Sequence, residues 1–204
     1  RETFSLAIAV QNLSWGVFGI FAGMLADRWG GWRVLIGGSL LWTLGLAGMA
    51  LSDTPLLFTL STGIVIGAAQ SASTYGVLYG IIGRRIAPVK RSWAMGLSGA
   101  VGSFGEFVLV PAEGWLIGSF GWQQALLVLG ASTLLIGPLA LLLREPAAPE
   151  AQAGGAHQQG IVQALREAAG YPSFLLLMAS YFVCGFQVVF IGVHLPSYLK
   201  DHGL

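Results

Sequence analysis

Asp27 is the first ionisable residue after Glu2, and after Arg33 the next does not come until Asp53. This spacing constrains the fold more than any single motif. It leaves two charge-free apolar runs, each long enough to cross a hydrocarbon layer about 30 Å thick at about 1.5 Å per helical residue. Between them the stretch G-M-L-A-D-R-W-G-G-W-R, from Gly23 to Arg33, is a short charged hinge, which predicts a tight turn at a membrane surface. Composition points the same way. Charged residues make up 9% of the chain and apolar ones 55%, with a mean hydropathy of +0.74, where a soluble domain carries roughly a quarter charged residues. The chain reads as an all-α, multi-pass membrane protein.

Cutting the sequence at charges and at Pro/Gly clusters predicts six transmembrane helices, at about 4–26, 34–51, 56–83, 92–118, 122–144 and 171–199. The first follows Arg1 and Glu2 directly without a small-residue cleavage site and is read as a span, not a signal peptide. Gly118-Ser119-Phe120-Gly121-Trp122 supplies the turn between the fourth and fifth. Residues 145–170 differ in kind: a polar, Pro/Gly/Ala-rich linker, ending in Ile161-Val162-Gln163-Ala164-Leu165-Arg166-Glu167, which can lie as a short amphipathic helix on the membrane surface. The domain reading is therefore a bundle over 1–144, a linker over 145–170 and a further helix over 171–204.

Orientation follows from where the basic residues fall. Arg28, Arg33, Arg84, Arg85, Lys90, Arg91, Arg144 and Arg166 share one side, and Arg1 and Lys200 the other. Positive charge is retained in the cytoplasm, so the hinge and linker face inward and both chain ends outward, in a plasma (inner) membrane.

Several polar residues inside the spans are candidates for chemistry. Glu106 lies near the middle of the fourth helix, where an ionised carboxylate is costly, so it either faces a cavity and exchanges protons or hydrogen-bonds a neighbouring helix in its protonated form. At 100° per residue Gly99, Gly102, Ser103 and Glu113 fall on its side of the helix. Gln70 and Thr74 share a face of the third helix with Gly63. Ser180, Cys184, Gln187, His194 and Tyr198 recur along one side of the last. Such groups either line a solute cavity or act as hydrogen-bonding glue between helices, and His194 near the outer end can bind an anion or take up a proton. In the hinge, Asp27 can cap the N-terminal end of a neighbouring helix, while Arg28 and Arg33 can pair with carboxylates or helix C-terminal ends. Contacts of that kind form a latch that breaks as two halves rock; the plainer alternative is a topology anchor. Glycine pairs such as Gly63 and Gly67 predict close helix packing.

At this point the sequence resembles a known family. Gly23, Leu25, Ala26, Asp27, Arg28 and Gly30 reproduce G-x-L-A-D-R-x-G, which is similar to the loop between helices two and three of the major facilitator superfamily. Ala87 to Gly96 resembles the inner loop leading into helix five. Gly102-Ser103-Phe104-Gly105-Glu106 with Pro111 resembles helix five of the branch that includes monocarboxylate and oxalate/formate carriers, and Phe190 to Leu199 the outer half of helix seven. The resemblance implies six transmembrane helices of a twelve-helix fold, corresponding to helices two to seven, with Gly23, Asp27, Arg28, Gly30 and Arg33 as a conformational latch whose partner lies in the remainder of the transporter. Gly63 stands where many proton antiporters carry an arginine, which argues against the drug/proton-antiporter reading.

Other classes find less support. No phosphate loop, dinucleotide fingerprint or His-Glu-x-x-His occurs, and the histidines are scattered at 157, 194 and 202. The lone Cys184 can build neither a disulfide framework nor a thiolate metal site. The basic residues form no nucleic-acid patch. No cofactor, metal or enzymatic activity is expected. The expectation is a secondary carrier of a small organic solute, foremost a carboxylate, by alternating access, with Glu106, Gln70, Thr74, Gln187 and His194 as proton-coupling or cavity residues. A drug exporter, an intramembrane enzyme and a non-transporting sensor subunit are the alternatives.

Overall fold

The computed structural model describes residues 2–144 and 161–202, so the part of the expected linker over 145–160 lies outside the described residues. Among the described residues six helices are long and apolar enough to cross a membrane: Thr3–Trp29, Gly31–Ala50, Pro55–Arg85, Pro88–Phe120, Trp122–Leu142 and Pro172–Gly192. Large apolar side chains such as Leu13, Phe107 and Leu142 point outward, as they do when the surrounding solvent is hydrocarbon. The protein is an all-α, multi-pass membrane protein. It divides into two compact units, Arg1–Ala147 and Ala148–Leu204.

In the first unit the hinge is tighter than its charge pattern suggests. The first span continues through Asp27 and Arg28 to Trp29, and the second begins at Gly31. Gly30 alone makes the turn, at φ 90°, a left-handed conformation that a residue with a Cβ rarely adopts. Gly121, at φ 82°, does the same between the fourth and fifth spans.

The third span is a single helix by sequence and a broken one in the structure. Thr54 caps its start by accepting a hydrogen bond from the Leu57 N–H at 3.2 Å, with Pro55 in the first turn. The stretch Leu60–Ile66 is π-helical, Gly67–Ala72 is α-helical, and the helix then opens at Ser73 and Thr74 before resuming over Tyr75–Arg85. Hydroxyls make the opening tolerable. Ser73 Oγ lies 3.1 Å from the Ala69 carbonyl and Thr74 Oγ1 lies 3.2 Å from the Ser71 carbonyl, so short polar side chains satisfy backbone groups that helix geometry no longer pairs.

Small residues set the packing. Gly63 and Gly67 bring the third span against the first, where a Cβ on Gly67 would stand 2.8 Å from the Gln11 carbonyl oxygen and 2.7 Å from Ser14 Cβ. Gly38 and Gly45 bring the second span equally close to Ala72 and Ile66. The fifth span closes on the second through Thr43, whose hydroxyl lies 2.9 Å from the Gly130 carbonyl and 3.0 Å from Thr133 Oγ1. The core between these helices is correspondingly fine-grained: Ala22, Ala26, Val34, Leu35, Ala72, Val77, Ile81 and Ala140. Backbones approach closely because lipid supplies no hydrophobic force between helices and van der Waals contact must do so.

The second unit contains a short helix, Ile161–Ala169, followed after Gly170 and Tyr171 by the long helix Pro172–Asp201. On the latter, Phe186, Phe190 and His194 stack one turn apart, with ring centroids separated by 5.9 and 5.0 Å.

Candidate functional site

Two features of the first unit gather the polar groups singled out by sequence. The first is the charged hinge. Asp27 Oδ1 accepts a hydrogen bond and ion pair from Arg84 Nη1 at 3.1 Å. Asp27 therefore does not cap a neighbouring helix; the second span starts at Gly30 with no side-chain cap. The reason is geometric: Asp27 sits in the last turn of its own helix, and Gly31 lets the guanidinium of Arg84, one turn beyond Ile81, lie over the start of the second span. Arg33 stacks on the Trp32 ring at 5.0 Å, and Arg144 lies 5.7 Å from the same ring. Arg85 closes the end of the fifth span by donating to the carbonyls of Leu142 at 3.2 Å and Arg144 at 3.0 Å. Arg28 is exposed and makes no ion pair among the described residues. Gly23 lies on the first span a turn before Asp27, with open space where a Cβ would stand.

The Asp27–Arg84 pair is solvated, with the Asp27 side chain 78% exposed. Such pairs contribute little to stability. Asp27→Asn is accordingly expected to change unfolding free energy in detergent by less than about 1 kcal/mol, which a thermal melt of the purified variant checks.

The second feature is a cleft of about 950 Å³ walled by the first, third and fourth spans. Gln70, Thr74 and Glu106, each singled out by sequence, line it together, joined by Trp15, Ser73, Tyr75, Trp93 and Ser98. The opening at Ser73 and Thr74 is part of its wall. Gly63, placed with Gln70 by periodicity, instead packs against Val10 of the first span. Glu113, Gly99 and Ser103 share a side of the helix with Glu106 by periodicity but do not line the cleft, which extends from Glu106 toward Trp93. Gln187 and His194 stand on the long helix of the second unit; the cleft belongs to the first.

Three contacts hold the wall in place. Gln11 Nε2 donates to Gln70 Oε1 at 3.0 Å, which orients the Gln70 amide. Ser71 Oγ lies 2.8 Å from the Trp15 carbonyl, tying the first span to the third beside the Trp15 ring. Trp42 Nε1 donates to Ser73 Oγ at 3.2 Å, so the second span buttresses the opening from behind. Gln11 and Trp15 were not singled out by sequence. The signal for Gln11 was present, since an amide inside an apolar span needs a partner, but its partner lies 59 residues away.

Tyr75 reaches the cleft by lying directly over Gly102, with its hydroxyl where a Cβ at that position would be; its ring is 5.4 Å from that of Tyr79. Gly102→Ala is expected to expel the Tyr75 side chain from this seat. The fold should persist, because the obstructed atom is the free end of a half-exposed ring. Comparing tyrosine fluorescence with the melting temperature of the variant checks this.

The whole chain, residues 1–204, matches the profile of the Major Facilitator Superfamily. The chain belongs to the major facilitator superfamily. Superfamily members are carriers and not enzymes. Among individual relatives, the chain is 34% identical over 143 residues to "Monocarboxylate transporter 11" of Mus musculus, covering 69% of this chain and 30% of that protein. It is 32% identical over 147 residues to "Probable sulfoacetate transporter SauU" of Cupriavidus necator, covering 66% of the chain and 32% of the relative. It is also 32% identical over 132 residues to "Multidrug resistance protein B homolog" of Mycobacterium tuberculosis, covering 63% and 24%. The matched region is thus about a third or less of each relative's length. Within the superfamily the similarity reaches carriers of monocarboxylate type, at low identity.

Proposed function

We propose that this chain forms helices two to seven of a twelve-helix secondary carrier that moves a small organic carboxylate across the plasma membrane by alternating access, coupled to protons. In this reading residues 1–144 are the N-terminal bundle without its first helix, 145–170 the cytoplasmic linker, and 171–204 the first helix of the C-terminal bundle. The observation that carries it is the cleft, with Glu106 near the middle of a 33-residue span facing the same space as Gln70 and Thr74. Two relatives support the solute class, being named for a monocarboxylate and for sulfoacetate.

The cleft's chemistry indicates how a proton would enter. Among its described lining residues there is no Lys, Arg or His, and the one charged group is Glu106. An anion entering beside an ionised carboxylate meets like-charge repulsion, which protonation of Glu106 removes. Proton and anion occupancy are then linked. The hinge residues Gly23, Asp27, Arg28, Gly30 and Arg33 act as the latch, with Arg28 available to the opposing half. Gln187 and His194, on the long helix Pro172–Asp201, are further cavity residues in this reading. An exporter of drugs is the second reading, favoured by the aromatic lining of Trp15, Tyr75 and Trp93 and by the relative named for multidrug resistance.

Counterflow of labelled organic acids into proteoliposomes containing the full-length gene product tests the proposal. Trans-stimulated exchange of a carboxylate is the expected result. Exchange of lipophilic drugs in its place would favour the second reading, and failure to exchange any solute would overturn both.

A further inference from the structure

The second, third and fifth spans each have an end at the surface that carries the charged hinge, and the charges gathered there do not balance. Asp27 is engaged by Arg84. Arg85 is turned onto the carbonyls of Leu142 and Arg144. Arg33 and Arg144 are exposed and make no ion pair among the described residues. Their guanidiniums are nonetheless held together, because both lie over the single ring of Trp32, at 5.0 and 5.7 Å from its centroid. Two like charges drawn to one indole repel each other, and an anion between them turns that repulsion into attraction. Guanidinium groups suit a phosphate, which they can grip with paired N–H donors. Below the pair the surface is apolar. Arg33, Gly37, Leu40 and Leu44 recur at helical spacing along the second span, all exposed, with open space where a Cβ would stand at Gly37. Leu139 and Leu142 are exposed on the fifth span, which packs beside the second through Thr43 and Thr133.

We propose that Arg33, Arg144 and Trp32 form the headgroup site of an anionic phospholipid of the surrounding leaflet, with its phosphate held by the two guanidiniums and an acyl chain lying along the outward face of the second span. A bilayer lipid fits better than a soluble phosphate because the charged pair stands at the end of an apolar stripe, and because an indole settles where headgroup meets hydrocarbon. Basic side chains that gather between the ends of spans attract anionic headgroups for the same reason. The inference uses the first unit alone and goes beyond the carrier reading, since it assigns a ligand outside the cleft. While the headgroup is bound, Arg33 is held on its own unit and withheld from the latch.

The full-length gene product in detergent, titrated with phosphatidylglycerol or phosphatidylcholine carrying brominated acyl chains, tests the site through quenching of tryptophan fluorescence. The quantity scored is the ratio of the two midpoints in one preparation, which a general loss of fold leaves unchanged. Phosphatidylglycerol is expected to bind at least about tenfold more tightly. Arg33→Gln and Arg144→Gln should each reduce that preference about fivefold, and the double variant should abolish it. Lys90→Gln removes the same charge from an exposed position outside the site and should leave the preference intact. Trp32→Phe keeps a ring for the guanidiniums, so the preference should persist while part of the quenching disappears. Equal midpoints for the two lipids, an undiminished preference in the double variant, or equal losses in Lys90→Gln and Arg33→Gln would each overturn the site, the last by showing diffuse surface attraction. Displacement of the lipid by millimolar inorganic phosphate would overturn it in favour of a soluble anion. Solute counterflow enters none of these outcomes, so failure of the carrier reading and failure of this one are told apart.

Discussion

Under the proposed coupling, Glu106→Gln is expected to leave exchange of labelled carboxylate across the vesicle membrane intact while proton-driven accumulation disappears. Two like charges about 5 Å apart at an effective dielectric near 20 repel by roughly 3 kcal/mol, more than a hundredfold in occupancy. In the proposed mechanism that repulsion links the anion to the proton. Glutamine is neutral at every pH and keeps the size of the side chain, so it admits the anion throughout but carries no proton. Uptake against a gradient, measured with and without an imposed pH difference, decides the matter. Undiminished pH-driven accumulation in the variant would remove Glu106 from coupling and return it to the role of a solvated side chain in an open cleft.

Gly67→Ala is expected to have the largest structural effect of any single methyl group added to the bundle. The new carbon would lie 2.8 Å from the Gln11 carbonyl oxygen, 2.7 Å from Ser14 Cβ and 3.3 Å from the Trp15 amide nitrogen. Two of these three are backbone atoms, which cannot turn aside as a side chain can, so the first and third spans must separate. Overpacking of this kind costs about 1–3 kcal/mol, a substantial part of the total stability of a small protein. Separation also strains the Gln11–Gln70 hydrogen bond and the Ser71 contact to Trp15, so the cleft should deform with the fold. Gly63→Ala should be milder, because it meets mainly the Val10 side chain, and Gly16→Ala and Gly19→Ala should be tolerated, with open space at both positions. Melting temperatures of the four purified variants in one detergent test this ranking. A Gly67→Ala protein as stable as Gly16→Ala would contradict the packing described above.

The chain's charges announced much of this architecture in advance. Asp27, Arg28 and Arg33 marked the turn after the first span, and Arg84 to Arg91 the turn after the third, because ionised side chains are excluded from hydrocarbon and gather at its surfaces. Gln70, Thr74 and Glu106 were legible for the same reason, each being a polar group in an apolar span. The break at Ser73 and Thr74 was not, since an open helix and a continuous one place the same residues in hydrocarbon and differ only in which hydroxyls meet which carbonyls. Nor could the pairing of Gly67 with Gln11 and Ser14 be read from a pattern. A membrane helix is apolar on all sides, so periodicity does not reveal which face meets a neighbour.

By itself, then, the sequence determined that this is a helical membrane protein, how many spans it has and where they turn, because the cost of placing charge in lipid depends only on what each segment contains. Tertiary structure alone decided that Asp27 pairs with Arg84 instead of capping a helix, that Gln11 orients Gln70, and that Glu106 shares a cleft with Trp15 and Tyr75 and not with Glu113. Those outcomes depend on how closely glycines allow separate helices to approach, a property of pairs of segments that no single segment contains.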